Sequence, residues 1–203
     1  MRAENKDPIV LAVALALVAG SWLYYEIYLP GQEYSVFVGH QLAIMEDLNS
    51  TSARTRLREE YFDRPMNFTE LCKWVGEKLT WERIRWWERM DAFKILERGK
   101  GTCGEFGVLY VAACLAHGCE ARLVVATNIT DPRNWVDMHV WAEVRLDDRW
   151  VHVDPGPSAE PQWDNQYMYE SWSWGKEIGR SVLIYAFEDG RYEDVTSKYK
   201  RDP

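Results

Sequence analysis

Hydrophobic and polar residues repeat with two different periods along this chain, and the change falls at Gly118. Before Gly118, apolar residues recur every three or four positions, which is typical of helices. Asn67 and Asp91 stand where helix N-caps belong, and Gly99 stands where a helix ends. The helices are predicted at residues 67–80, 91–99 and 103–117.

After Gly118 the apolar residues recur at every second position, which is typical of strands. The dipeptide Asp189-Gly190 indicates a further hairpin turn. Helices followed by antiparallel strands predict an α+β fold. The strands are predicted at residues 120–128, 138–146, 150–154 and 181–188.

The N-terminal segment has a different pattern, because residues 9–29 contain a single charge, Glu26. As a helix, this segment spans roughly 30 Å, the thickness of a bilayer's hydrocarbon core. Aromatic residues crowd its far end, as they do at membrane interfaces. A cleaved signal peptide is the alternative, although its apolar region is usually shorter and small residues mark its cleavage site. We expect an uncleaved single-pass anchor.

This pattern divides the chain into a membrane anchor at residues 1–30, a linker and helical segment at 31–65, and a globular domain at 66–203. The net charge of −8 argues against nucleic-acid binding, which needs a basic surface. None of the four cysteines forms a Cys-x-x-Cys pair and no two histidines have metal-ligand spacing, so neither a zinc site nor another cofactor is expected. Three glycosylation sequons favour a globular domain outside the cytoplasm: Asn49, Asn67 and Asn128.

Cys103 lies in the glycine-flanked turn "GTCGEF", at the start of the apolar helix predicted at 103–117. A free cysteine is most often a small buried side chain. A cysteine at a helix N-terminus is also where a thiolate is stabilised, as a nucleophile requires. The sequence up to this point leaves both interpretations open.

The predicted hairpin around Asp147-Asp148 favours the interpretation of Cys103 as a nucleophile. A short turn pairs Leu146 with Arg149, and the same register then sets His139 diagonally beside Asp154 on one face of the sheet. A slip of one residue would separate the two and expose the valines of the opposite face. Taken singly, the histidine and the aspartate are ordinary strand and turn residues, but together they form the acid–base half of a catalytic site.

If the helix at 103–117 packs on this sheet, the three side chains can meet in a cleft. Cys103 would then be the nucleophile, and its backbone N–H would donate to an oxyanion. His139 would take the thiol proton and later deliver it to the leaving amine. Asp154 would fix the orientation and tautomer of the imidazole.

These residues resemble the transglutaminase-like superfamily of papain-like cysteine enzymes, and within it the peptide:N-glycanase branch. The resemblance rests on "GTCGEFGVLYVAACLAHGCEARLVV", "MHVWAEV", "WVHVDP" and the tail "YESWSWGKEIGRSVLIYAFEDGRYEDVTSKY". It implies a papain/transglutaminase-like core, with the nucleophile helix packed on an antiparallel sheet, in the domain at 66–203. It also implies deglycosylation of N-linked glycoproteins through a thioester, with Cys103, His139 and Asp154 as the catalytic residues.

The resemblance further implies an upstream tryptophan whose indole N–H helps to hold the oxyanion; Trp81 is the first match and Trp86 the second. Glu105 and Trp141 are the other candidates for oxyanion or substrate binding, although Glu105 also suits a helix N-terminus electrostatically. The expected partners are a glycoprotein or peptide substrate and, through the anchor, a membrane. Two alternatives stay open: a peptidase or acyl transferase with the same triad, and a non-catalytic binding domain on a membrane tether.

Overall fold

A computed structural model of the chain describes residues 29–82, 91–130, 136–155, 162–163 and 183–199. The chain divides into two compact units, residues 1–41 and residues 42–203. Except for its last residue, the predicted anchor at 9–29 lies outside the described residues and stays a prediction. Across the described ranges, no helix has both the length and the apolar character needed to cross a membrane.

The described elements run from helices to strands, in the order that the sequence predicts. The helices are α1 (Leu29–Asn49), α2 (Thr51–Tyr61), α3 (Phe68–Lys78), α4 (Ala92–Arg98), α5 (Cys103–Ala116) and α6 (Thr196–Tyr199). The strands are β1 (Thr80–Trp81), β2 (Lys100–Gly101), β3 (Ala121–Thr130), β4 (Val136–Leu146), β5 (Arg149–Asp154), β6 (Gln162–Trp163), β7 (Leu183–Glu188) and β8 (Arg191–Asp194). The predicted α+β class is confirmed.

Capping side chains begin α3 and α4 at the predicted residues. Asn67 accepts from the backbone N–H groups of Thr69 and Glu70, and the Glu70 side chain accepts from the Asn67 N–H in return. Asp91 caps α4 by accepting from the backbone N–H groups of Phe93 and Lys94, and Gly99 ends the helix in the left-handed region at φ 65°. These caps satisfy the backbone donors and acceptors that a helix leaves unpaired at its ends.

Helix α5 lies at the centre of the larger unit, and every residue from Gly104 to Leu115 is buried. One side of the helix packs on β3 and β4, and α2, α3 and α4 pack on the rest. Gly107 permits the close approach to the sheet, since a Cβ there would lie 3.2 Å from Val140 and 3.3 Å from Leu123. A helix that is hydrophobic all round is stable only when it is covered all round.

The main sheet has six antiparallel strands in the order β6-β5-β4-β3-β7-β8. In the β4–β5 hairpin, Leu146 pairs with Arg149 and Glu143 pairs with His152, so the predicted register is confirmed. Asp147 and Asp148 form the turn with φ 48° and 64°, the conformation that matches the strand twist in a two-residue hairpin.

A second apolar cluster fills the face of the sheet opposite α5. Trp141 lies in this cluster with residues from β3, β7 and the segment that contains α6. Thr196 ties α6 to β7, because its hydroxyl accepts from the backbone N–H of Ile184 at 2.9 Å. The central strands of the sheet are therefore buried on both faces. The other members of the cluster are Val124, Ala126, Ile184, Ala186, Val195 and Tyr199.

Candidate active site

The turn before Cys103 is built around the buried carboxylate of Glu105. One carboxylate oxygen accepts from both the backbone N–H and the hydroxyl of Thr102, at 2.8 and 2.9 Å. The other oxygen accepts from Arg98 at 3.2 Å. A side chain at Gly101 would collide with Glu105, since a Cβ there would lie only 2.3 Å from that of Glu105. Glu105 therefore fixes the backbone that presents Cys103, and both of its oxygens are engaged inside the protein.

Three of the predicted site residues converge at the N-terminal end of α5. His139 on β4 and Asp154 on β5 share a 2.7 Å hydrogen bond between Nε2 and Oδ2. The Cys103 side chain interacts with the same imidazole through a hydrogen bond, which leaves Nδ1 as the ring nitrogen for sulfur. Cys103 is partly exposed, whereas Cys72 and Cys114 are buried. A substrate atom can therefore reach this thiol.

The charge state of His139 follows from these contacts. Burial lowers the pKa of the imidazole, but the hydrogen bonds to Asp154 and Cys103 outweigh that effect and raise the pKa to about 10. The ring therefore carries a second proton at neutral pH. A protonated imidazole beside a thiol can supply a proton to a leaving group.

Trp141 lies behind the imidazole and away from solvent. Its side chain is 1% exposed, and its ring stacks on His139 with centroids 5.7 Å apart and planes at 27°. The indole N–H donates to the hydroxyl of Tyr199 at 3.1 Å. The structure does not bring Trp141 to a surface that a substrate can contact.

Trp81 lies beside the turn that carries Cys103. It pairs with Gly101 in the short parallel sheet of β1 and β2, and Glu82 donates its backbone N–H to Gly101 at 2.9 Å. The indole ring is 49% exposed and lies 6.1 Å from the ring of Phe106. Trp81 is thus an accessible aromatic residue close to the start of α5. The second match, Trp86, lies outside the described residues.

His152 is a buried titratable residue near the site. No role for this residue follows from the sequence alone. Its ring packs between Trp141, at 5.4 Å, and Tyr199, at 5.9 Å. Within the described part of the chain, nothing hydrogen-bonds to either ring nitrogen. Burial lowers the pKa of this imidazole to about 4, although the nearby Asp154 raises it in part. The alternation in "WVHVD" is the signal that places His152 on the same face as Asp154.

Removing the His152 imidazole will change how stability depends on pH. Unfolded His152 takes up a proton below about pH 6.5 and the folded residue only near pH 4, so acid favours unfolding across that window. In the wild type this residue alone will lower the free energy of unfolding by up to ~3 kcal/mol as the pH falls from 6.5 to 4. In His152→Phe, the free energy of unfolding will lack this contribution to its pH dependence. Urea denaturation of both proteins at several pH values measures it, and equal slopes would contradict the prediction.

A cysteine-bearing helix packed on an antiparallel sheet that carries a His–Asp pair is the arrangement of a transglutaminase-like domain. The sequence profile of the Transglutaminase-like superfamily matches residues 58–155, which include all three side chains. The segment at residues 58–155 is thus a transglutaminase-like domain. Within the superfamily, the chain is similar to the peptide:N-glycanases, as the sequence motifs predict.

Three curated relatives carry the name peptide-N(4)-(N-acetyl-beta-glucosaminyl)asparagine amidase. The protein from Gallus gallus is 37% identical over 108 residues, which are 52% of this chain and 14% of the relative. The protein from Oryza sativa subsp. japonica is also 37% identical over 108 residues, 52% of this chain and 21% of the relative. The protein from Yarrowia lipolytica is 32% identical over 120 residues, 58% of this chain and 29% of the relative. The chain thus spans less than a third of the length of each relative.

Solved structures show the same fold in more distant proteins. A Rad4–Rad23 complex crosslinked to undamaged DNA matches with a TM-score of 0.52 at 12% identity, over 81% of this chain and 46% of that chain. A Rad4/XPC nucleotide excision repair complex matches with a TM-score of 0.51 at 12% identity, over 81% of this chain and 47% of the other. At such low identity the likeness concerns the fold alone.

Proposed function

We propose that this protein is a cysteine-dependent amide hydrolase that removes N-linked glycans from glycoproteins or glycopeptides. The observation that carries the proposal is the convergence of three side chains at the start of α5. His139 holds Asp154 at 2.7 Å through one ring nitrogen and interacts with the Cys103 thiol as well. The asparagine amidases at 32–37% identity support the choice of a glycosylated asparagine as the substrate.

In the first half of the proposed reaction, the Cys103 thiolate attacks the side-chain carbonyl carbon of the glycosylated asparagine. The backbone N–H of Cys103, at the first turn of α5, donates to the developing oxyanion. The amide bond between that carbonyl carbon and the nitrogen that carries the sugar then breaks, and the His139 imidazolium gives its proton to the nitrogen of the leaving glycosylamine. The product of this half is a thioester between Cys103 and the former asparagine side chain.

In the second half, water attacks the thioester and His139, now neutral, accepts a proton from that water. The C–S bond breaks, the side chain leaves as aspartate, and the thiolate is restored next to the imidazolium. Asp154 stays ionised throughout and holds the ring in one orientation. The partial exposure of Cys103, the raised pKa of His139 and the hydrogen bond from His139 to Asp154 support these steps.

The proposal is tested by incubating the full chain with one defined N-glycopeptide in ¹⁸O-labelled water. Deglycosylation by this route will release the glycan and leave an aspartate with one heavy oxygen at the former glycosylation site. The heavy oxygen marks the water that opened the thioester. Mass spectrometry of the peptide and of the released glycan measures both products.

Two further incubations separate this function from its alternatives. The same peptide without a glycan will stay intact, whereas a peptidase would cleave its backbone. Adding a primary amine will leave the products unchanged, whereas an acyl transferase would join the amine to the peptide. Intact glycopeptide in every incubation would contradict the proposed activity on N-glycans.

A further inference from the structure

We propose that Tyr199 is a positioning residue for His139 and acts on it through Trp141. The two ends of this chain of contacts are the C-terminal helix α6, which carries Tyr199, and strand β4, which carries His139. The link to catalysis rests on the function proposed above. The contacts themselves, and the reactivity of the Cys103 thiol, can be tested without any substrate.

The contact between Trp141 and His139 is the first step of the argument. The two rings stack at 5.7 Å and 27°, so the indole face lies against the imidazole. The face of an indole is electron-rich and attracts a cation, more strongly when the pair is desolvated. Because His139 shares its in-plane nitrogens with Asp154 and Cys103, the indole face supports the charged ring from a third direction.

The contact between Tyr199 and Trp141 is the second step. The Trp141 N–H donates to the Tyr199 hydroxyl at 3.1 Å, and both side chains are buried. The hydroxyl in turn donates its own proton to Glu143 through a short hydrogen bond. A phenol oxygen that donates to one partner and accepts from another has a fixed orientation. The indole is therefore held at its edge by a hydroxyl that cannot rotate freely.

Glu143 anchors this arrangement in the sheet. Its carboxylate is fully buried and accepts from Arg122 at 2.7 Å as well as from Lys198. Lys198 is the residue before Tyr199, so α6 is bound to β4 by two adjacent side chains. Helix α6 therefore docks at a defined position on the far face of the sheet, and that position sets the tilt of the indole.

Among the described residues, the charged and titratable groups near these rings come from five elements. Asp154 and His152 face His139 from β5, and Cys103 faces it from α5. Around Tyr199 lie Glu143 on β4, Lys198 on α6 and, bound to Glu143, Arg122 on β3. The Tyr199 hydroxyl hydrogen-bonds to Trp141 and Glu143, and neither of these groups takes part in the proposed proton transfers. Its removal is therefore expected to act on His139 through the indole.

The experiment measures the rate at which iodoacetamide alkylates Cys103, as a function of pH, in the wild type and in Tyr199→Phe. Peptide mass spectrometry assigns the alkylated thiol, because Cys119 is also partly exposed. In the variant the indole loses its fixed tilt, so the imidazolium is less stable. We expect its loss of a proton to move to lower pH by roughly 0.5 units, which changes the alkylation rate by up to about threefold in the alkaline range where this ring titrates.

Tyr110→Phe is the matched control for a buried phenol. Tyr110 is fully buried on α5, and its hydroxyl donates to the backbone carbonyl of Phe68 at 3.1 Å. Its removal will lower the melting temperature by an amount similar to that of Tyr199→Phe but will leave the pH profile of alkylation in place. Equal profiles for the two variants would reduce Tyr199 to a structural residue and overturn the proposal.

A double-mutant cycle tests the route through the indole. Trp141→Phe keeps an aromatic ring against His139 but has no N–H for Tyr199 to accept. If Tyr199 acts through Trp141, adding Tyr199→Phe to Trp141→Phe will cause little further change in the profile. If the effects of the two substitutions on the pH profile are fully additive, Tyr199 does not act through Trp141. These outcomes do not depend on deglycosylation, because a protein that leaves every glycopeptide intact still reports the reactivity of its Cys103.

Discussion

Replacing Cys103 with alanine will lower the rate of glycopeptide deglycosylation by roughly 10⁴- to 10⁶-fold, as removal of a covalent nucleophile does in other hydrolases. The thiolate forms the bond that allows the glycosylamine to leave, and nothing else in the described site can replace it. The variant will fold, since the side chain becomes smaller at a partly exposed position. The measurement is the initial rate of glycan release at saturating glycopeptide.

Cys119→Ala is the matched control for this change. Cys119 is partly exposed and follows the C-terminal end of α5, so it is remote from the start of the helix where His139 and Asp154 converge. We expect the control to release glycan at the wild-type rate. A Cys103→Ala protein that keeps a tenth of the wild-type rate or more would rule out the covalent mechanism.

Replacing Asp154 with asparagine will lower the rate by roughly 10²- to 10⁴-fold and will shift its pH dependence. The carboxylate hydrogen bond is the largest of the effects that raise the pKa of His139, so the neutral amide will let the ring lose its proton at lower pH. Activity that depends on the imidazolium will therefore decline earlier as the pH rises. The pH profile of kcat/KM measures both the fall and the shift.

Asp148→Asn gives the corresponding control, because this carboxylate is 98% exposed at the tip of the β4–β5 hairpin. Asparagine also suits its left-handed backbone, so the fold and the pH profile will stay as in the wild type. In Asp154→Asn, kcat/KM could fall at every pH while the alkaline limb of its pH profile stays in place. That result would contradict the role of Asp154 in raising the pKa of His139.

Local patterns in the sequence were sufficient to predict the framework of the site. Asn67, Asp91 and Gly99 each act on backbone groups a few positions away, so their capping roles follow from spacing alone. The register of the β4–β5 hairpin follows from its turn and from the valines that must face the core. That register brings His139 to Asp154 without any knowledge of the rest of the fold.

The contact between Trp141 and Tyr199 was not predicted, because no local pattern encodes it. Trp141 and Tyr199 are 58 positions apart and meet only because β7 pairs with β3 and α6 folds over the far face. The strict alternation in β4 gave no sign that both of its faces are buried. The sequence around Glu105 fits both a functional residue and a residue that stabilises a helix N-terminus. The folded structure distinguishes the two, because both carboxylate oxygens accept hydrogen bonds, one from Arg98 and the other from Thr102.

The absence of a polar side on α5 has a consequence for biosynthesis. A ribosome delivers this helix after α2, α3 and α4 but well before β3 and β4, so for a time the nascent chain exposes the apolar side of α5 that the sheet will cover. Such a surface attracts chaperones and neighbouring chains. The Cys103 thiol therefore lies at the end of a helix whose sheet-facing side stays uncovered until translation has passed Asp154. The strands that then cover this side also bring the imidazole and the carboxylate to the sulfur.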